Sequence, residues 1–257
     1  MKFSNHALSI GSVMGIPIRL HISLLIALPY IMTYFSTPSF GLRLLGAVGI
    51  FASVALHELG HSVVARAKGS HIMQIMLYPF GGAAMMSSIP TRPLDEVLVA
   101  VAGPAVSLLL GIGGLLLASF YKIPLSFELG AINLGLFIFN LVPAFPMDGG
   151  RVLRALLSIK AGRLKATKIA ANIGTIFCLL FVAGGLFYLH SFMLAFIGGY
   201  LYVVGQAEYR MVQREYQATP IPQAQNSFDV EVGPPPYAEK SSFSEQLKNR
   251  FRNFFRR

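Results

Sequence analysis

The order of apolar and polar residues along the chain predicts a set of membrane-spanning helices. A helix of about 20 mostly apolar residues crosses the hydrocarbon core of a bilayer. Stretches of about this length recur through most of the sequence, over residues 20–36, 44–66, 96–120, 127–147, 168–189 and 191–207. The pattern therefore predicts an all-α polytopic membrane protein with about six transmembrane helices.

The segment between the second and third predicted spans has a different pattern. Residues 71–90 hold two apolar runs on either side of Phe80, Gly81 and Gly82. Glycines between two such runs indicate a tight reversal of the chain. We therefore expect a small membrane-associated β-hairpin between helices 2 and 3, with a plain connector as the alternative.

Composition supports a membrane protein and excludes other classes. Charged residues make up 12% of the chain, about half the ~25% of an ordinary soluble domain, and hydrophobic residues 54%. A water-soluble globule of this size could not bury so much apolar surface. The single cysteine, Cys178, excludes a disulfide-stapled secreted module.

The last fifty residues are polar and are predicted to lie outside the membrane. We expect residues 1–207 to form a membrane-embedded domain and residues 208–257 a cytoplasmic Pro-rich linker with a basic amphipathic tail. Residues 243–257 place phenylalanines on one helical face and lysines and arginines around the rest, a pattern typical of an interfacial helix. A disordered basic tail is the alternative.

In a membrane protein the net charge of +10 is first an indicator of topology, and only second a sign of nucleic-acid binding. With six spans, the lysines and arginines before the tail divide eleven to two between the two sides. The basic side is the cytoplasm. The prediction is a multi-pass protein of the cell (inner) membrane with both termini cytoplasmic and with no nucleic-acid partner.

The second predicted span carries the residues with chemistry, His57, Glu58 and His61, in the pattern H-E-x-x-H. Positions i and i+4 lie on one helical face, so both imidazoles can reach one metal ion. Glu58 stands next to them, where it can contact water at the metal. Zinc suits this set, because imidazole binds it well and a position stays open for water. Ionisable residues inside a span are costly and mark function by default.

A third metal ligand is expected, because a catalytic zinc site usually takes three protein ligands. Asp148 is the best candidate among the eleven acidic residues. His61 lies five residues before Arg66, and Asp148 lies three before Arg151, in two spans that run in the same direction. The three side chains should therefore lie at similar depth. We expect one Zn²⁺ per chain, held by His57, His61 and Asp148; for Asp148, a simple helix-end acid is the alternative.

The segment Pro143–Gly150 indicates a cavity near this metal. Its prolines and glycines are predicted to break the fourth helix. Non-helical backbone at membrane depth is tolerated only where protein or water surrounds it. Asn140 could bind the backbone of a substrate there, and an interhelical hydrogen bond is the alternative for this residue.

Other classes of protein also place such residues in membrane spans. A metal transporter usually needs polar residues along a whole path, and the outer halves of these spans hold almost none. A binding protein with a structural zinc would not need Glu58 beside the ligands. A glutamate third ligand is disfavoured, because the candidate, Glu128, lies at the outer end of its span. A membrane metal-binding or metal-transport protein remains the alternative to an enzyme.

Taken together, the motifs resemble the site-2 protease family of intramembrane zinc metalloproteases over about residues 11–207. The resemblance rests on His57-Glu58-x-x-His61 and on Asn140-x-x-Pro143-x-x-Pro146-Met147-Asp148-Gly149. Three shorter matches support it: Gly15-Ile16-Pro17-Ile18-Arg19-x-His21, Phe80-Gly81-Gly82 and Ala102-Gly103-Pro104.

The resemblance implies a zinc metalloendopeptidase that acts in regulated intramembrane proteolysis. It implies that His57, His61 and Asp148 bind zinc and that Glu58 is the catalytic acid and base. It also implies that the hairpin pairs with an extended substrate strand. The expected partners are a single-span membrane-protein substrate and the lipid bilayer. The resemblance is also compatible with a regulatory partner.

Overall fold

The computed structural model describes residues 7–79, 81–86 and 92–218. The chain divides into two compact units, Met1–Gln217 and Ala218–Arg257, and only Ala218 of the second belongs to the described residues. The interfacial helix expected over residues 243–257 lies outside them.

The described part of the chain is mostly helical and contains one small β-sheet. Its seven helices are α1 (Ser23–Met32), α2 (Phe40–Ala67), α3 (Pro93–Tyr121), α4 (Ser126–Asn140), α5 (Asp148–Ala161), α6 (Arg163–Ala183) and α7 (Phe192–Ala218). A π-helical turn, Gly184–Tyr188, continues α6. The strands are β1 (Ala7–Val13), β2 (Ile16–His21), β3 (Ile72–Tyr78) and β4 (Gly81–Met86).

Three of the described helical segments are long and apolar enough to cross a membrane: α2, α3 and α6 with its π-helical turn. Each of these segments contains an apolar stretch of 18 residues, and only 28 to 33% of that stretch is buried inside the protein. Most of this apolar surface therefore faces outward, where lipid can cover it. The chain is an integral membrane protein.

The expected count of six spans is not confirmed, because two predicted spans are short helices. α1 has 10 residues and α4 has 15, so they rise about 15 Å and about 22 Å, less than the ~30 Å hydrocarbon core. The first predicted span began inside β2. The fourth counted residues 141–147 as helix, although α4 ends at Asn140.

The predicted break in the fourth helix is confirmed, and it changes the place of Asp148. Proline cannot continue a helix, and Pro143 and Pro146 follow the end of α4 at Asn140. Asp148 was expected to end the fourth span. It is instead the first residue of α5, at a helix N-terminus that favours a negative side chain.

Helix α7 continues eleven residues beyond residue 207, where the sequence placed the end of the last span. Side chains of this extension contact the rest of the described chain. Val212 is buried, and Glu208 accepts a hydrogen bond from Arg154 of α5. The composition of this segment alone indicated a polar tail, and tertiary contacts therefore stabilise it as a helix.

The sheet has the order β1-β2-β3-β4. The hairpin predicted over residues 71–90 is confirmed as the antiparallel pair β3–β4. It is half of a larger sheet, because β2 pairs in parallel with β3, with Ile18 opposite Ile75. The antiparallel pair β1–β2 was not predicted.

The buried face of this sheet packs against the helices that carry the chemistry. Ile18, Ile75 and Leu77 form one apolar core with Ala65 of α2 and Val99 of α3. Helices α2 and α3 also approach closely at Gly60, where an added Cβ would lie 2.9 Å from the carbonyl oxygen of Ala102. Small residues allow such close helix packing in membranes.

Candidate metal centre

The structure brings His57, His61 and Asp148 together in one buried cluster. The Nε2 atoms of the two histidines, one turn apart on α2, are 3.1 Å apart. The Oδ2 atom of Asp148 lies 3.2 Å from each of them. The histidines are only 4% exposed and the aspartate 7%. Asp148 reaches α2 because the non-helical segment after α4 turns the start of α5 towards it.

The spacing of these three atoms fits a tetrahedral zinc ion. Zinc binds nitrogen and carboxylate oxygen at about 2.0–2.1 Å, which separates two ligands of a tetrahedron by about 3.3 Å. The observed separations of 3.1 and 3.2 Å are close to this value. The donor set, two imidazoles and one carboxylate, is also one that zinc prefers.

The hydrogen bonds of the cluster point to a cation as well. Nδ1 of His61 lies 2.7 Å from the carbonyl oxygen of Val99, which can only accept, so Nδ1 carries the proton. In the neutral ring, Nε2 is then an acceptor aimed at Asp148. The buried Oδ2 of Asp148 has no hydrogen-bond donor among the described residues. Two acceptors 3.2 Å apart repel each other unless a cation lies between them.

Helix α3 orients both histidines from behind. Nδ1 of His57 is 2.8 Å from Oγ of Ser107, and Nδ1 of His61 contacts Val99. Such contacts on the far ring nitrogen fix the tautomer and the orientation of metal-binding histidines. Gly103 lies between these two positions on α3, and an added Cβ there would stand 2.5 Å from Cε1 of His61. The absence of a side chain at Gly103 therefore makes room for the ring.

Glu58 contacts β4. Its Oε2 accepts a hydrogen bond from the backbone N–H of Ala84 at 3.2 Å. An added Cβ at Gly82 would stand 3.1 Å from Cδ and from Oε1 of Glu58. In the described part of the chain β4 is the outermost strand of the sheet, paired with β3 on its other side. Glu58 is therefore covered by the free edge of a strand.

A cavity of about 660 Å³ joins these residues. His57, Glu58, His61 and Asp148 line it, and the segment 81–84 of β4 forms part of its wall. Most of its remaining lining residues are apolar, and those on α2, α4 and α7 include Val54, Leu136, Phe139, Leu201 and Val204. The three candidate metal ligands and the carboxylate of Glu58 thus face a space that suits an apolar polypeptide segment.

Asn140 also lines this cavity, at the end of α4. Its Nδ2 donates a hydrogen bond to the carbonyl oxygen of Leu136 in the same helix, at 2.9 Å. The side chain is half-buried. Asn140 thus lines the same cavity as the candidate metal ligands, with its amide nitrogen bonded within its own helix.

Several residues of the site have little or no sequence signal. Val99 contributes a carbonyl oxygen, a group that every residue carries. Ser107 is eight residues further on the same face of α3, a weak pattern in an apolar helix. Gly82 was marked as part of a chain reversal, and its closeness to Glu58 follows only from the packing of β4 on α2.

The fold and the site define a class of protein: a membrane-embedded protein with an H-E-x-x-H motif on one helix and a third candidate metal ligand, Asp148, on another. The comparison with known families agrees. Residues 45–126 and 123–181 match the model of peptidase family M50, and the chain belongs to this family. The resemblance to site-2 proteases is confirmed.

Individual relatives show the same likeness. The chain is 42% identical over 218 residues to a zinc metalloprotease of Methanocaldococcus jannaschii. The aligned region covers 82% of this chain and 63% of the relative. It is 36% identical over 201 residues to a candidate zinc metalloprotease of Synechocystis sp., covering 72% and 53%. The chain therefore spans less than two thirds of these relatives.

A solved structure, described as the site-2 protease from Methanocaldococcus jannaschii, has a similar fold. It superposes with a TM-score of 0.62 at 41% identity, covering 79% of this chain and 95% of the solved one. The match to the family model spans the part of the chain from His57 to Asp148.

Proposed function

We propose that this chain is an intramembrane zinc metalloendopeptidase, which hydrolyses a peptide bond in or near the transmembrane segment of a membrane protein. The observation that carries the proposal is the meeting of three features in one cavity. These are the buried set His57, His61 and Asp148, the carboxylate of Glu58, and the free edge of β4.

In this proposal His57, His61 and Asp148 hold one zinc ion. When bound, zinc supplies a Lewis acid that polarises a carbonyl and lowers the pKa of water towards 7. Glu58 is the general base and then the general acid. One of its oxygens is anchored by Ala84 N–H, which leaves Oε1 to take a proton from the attacking water. The carbonyl carbon gains the hydroxyl, the C–N bond breaks, and Glu58 gives its proton to the departing nitrogen.

The substrate must enter the site as an extended chain, because a helical backbone uses its own N–H and C=O groups. Among the described strands β4 has a neighbour on one side only, and its segment 81–84 lines the cavity with Glu58, so an extended segment can add to the sheet at this edge. Asn140, which lines the same cavity, can hold a substrate backbone group with its amide. The apolar lining favours a substrate drawn from a membrane span.

The wider setting belongs to the same proposal. The chain acts in the cell (inner) membrane, with both termini in the cytoplasm, as the distribution of lysine and arginine favours. The short helices α1 and α4, together with α7, complete six spans around α2, α3 and α6. The substrate is a single-span membrane protein, cut in regulated intramembrane proteolysis, and a regulatory partner would act through the cytoplasmic tail or the substrate.

Replacing Glu58 by glutamine tests the proposal. The substituted side chain is nearly isosteric and is not a ligand, so the protein should keep its fold and its zinc. Cleavage of a co-expressed single-span protein should fall by about 10²-fold or more, because proton transfer is lost. Glu128→Gln, the same change in the first turn of α4, is the matched control and should cut normally.

Two results would decide against this reading. A Glu58→Gln protein that cuts at the wild-type rate would remove the acid and base role. Wild-type protein that holds zinc but cleaves none of the single-span candidates would favour a metal-binding or metal-transport function.

A further inference from the structure

A buried ion cluster links three helices outside the cavity. Arg154 of α5 is only 2% exposed. Its Nε donates to Oε1 of Glu96 on α3 at 2.8 Å, and its terminal nitrogens donate to Glu96 and, at 2.9 Å, to Oε1 of Glu208 on α7. Among the described residues that line the cavity, none belongs to this cluster.

Stability alone is a poor reason for such a cluster. Removing charges from water costs several kcal/mol for each ion, and a buried ion pair often contributes no more than apolar residues of similar size. In some proteins a buried pair instead defines the geometry, because its partners meet in one arrangement.

The guanidinium of Arg154 reaches back to the turn that carries Asp148. Its central carbon lies 5.1 Å from the ring centre of Phe145, three residues before Asp148. Phe145 is itself buried, against Ala170 and Ala171 of α6. Arg154 thus packs on the segment that leads to Asp148 and links this segment to the carboxylate of Glu96.

Glu96 stands on the helix that orients the other two ligands. It lies three residues before Val99, which accepts the hydrogen bond of His61, and Ser107 of the same helix contacts His57. Helix α3 is therefore connected to all three candidate metal ligands. It contacts the two histidines directly, and it is linked to Asp148 through Arg154.

We propose that Glu96 and Arg154 are a positioning pair for Asp148. They hold the first turn of α5 at a fixed distance from α3, so that Oδ2 of Asp148 meets the two imidazoles. The inference rests on the zinc site of the proposed function, but it concerns the binding of zinc rather than the cleavage of a substrate.

The test compares two neighbouring carboxylates in the full-length protein. Glu96→Gln removes the charge that faces Arg154, while Glu208 stays as a partner and avoids an unpaired buried cation. Zinc affinity, measured by competition with a chelating indicator, should fall about 10- to 100-fold, as for other residues that support metal ligands. The visible spectrum of the Co²⁺-substituted protein should also change, because it reports the geometry of the ligands.

Asp95→Asn is the matched control. Asp95 pairs with Lys68 at 2.7 Å, and both side chains are partly exposed, so this ion pair contributes little. The control should keep zinc affinity and the Co²⁺ spectrum. A purely structural role for Glu96 would lower the melting temperature of the zinc-free protein and leave both metal measurements unchanged.

The outcomes separate this inference from the proposed function. Wild-type zinc affinity and an unchanged Co²⁺ spectrum in Glu96→Gln would overturn the positioning role. If that variant does not fold, Arg154→Lys decides by the same measurements, because lysine keeps the charge but cannot form the forked contact. A wild-type protein that takes up no zinc would instead overturn the proposed metal site.

Discussion

Gly103 offers a direct test of how tightly α3 holds the site. In Gly103→Ala the new Cβ would lie 2.5 Å from Cε1 and 2.7 Å from Cδ2 of His61, and closer still to Nε2. Carbon atoms in contact normally stay about 3.5–4.0 Å apart. The imidazole must therefore withdraw by about 1 Å, or α3 must move away by a similar distance.

Either movement should damage the metal site. The ring is held by its 2.7 Å hydrogen bond to Val99, and a shift of about 1 Å would break it. A metal–ligand distance tolerates only about 0.2 Å. Moving α3 instead would carry Val99 and Ser107 away from both histidines. We expect zinc affinity to fall by about 100-fold or more, which corresponds to about 3 kcal/mol.

The assay is a competition titration of zinc on purified protein in detergent, together with cleavage of a single-span substrate. Gly113→Ala is the matched control on the same helix, because an added Cβ there meets no atom of the described residues within 4 Å. It should bind zinc as the wild type does and gain about 1 kcal/mol of helix stability. A Gly103→Ala protein with wild-type zinc affinity would refute the close packing of α3 on His61.

Two further results are expected. Asp148→Ala should lose most of its bound zinc, because two imidazoles alone hold the ion weakly, and metal analysis of the purified protein checks this; wild-type zinc content would assign the third ligand elsewhere. Reporter fusions near residue 122 should report the outer side and fusions near residue 160 the cytoplasm. An outer-side signal after residue 160 would contradict the proposed topology.

The cluster could be predicted from the sequence because its chemistry is local or scarce. His57 and His61 are one helical turn apart, so their meeting follows from helix geometry alone. Asp148 belongs to another helix, and it could be selected because few acidic residues lie in apolar surroundings. The structure brings the three together as expected.

Other features depend on packing that the sequence does not encode locally. The parallel pairing of β2 with β3 joins segments that lie far apart in the chain, and no local sequence pattern predicts it. The number of spans was uncertain for a related reason. Apolarity continues through residues 141–147 although the helix has ended, since Ala144, Phe145 and Met147 are buried in a loop rather than in a helix.

The parallel pairing also sets an order of events during synthesis. Ile18 of β2 pairs with Ile75 of β3, so 57 residues must be added before β2 finds its neighbour. At about 5–20 residues per second this takes several seconds, whereas a hairpin forms in about 1–10 μs. Strand β4 follows later still. The edge that covers Glu58 is therefore completed only after the whole of α2 has been made.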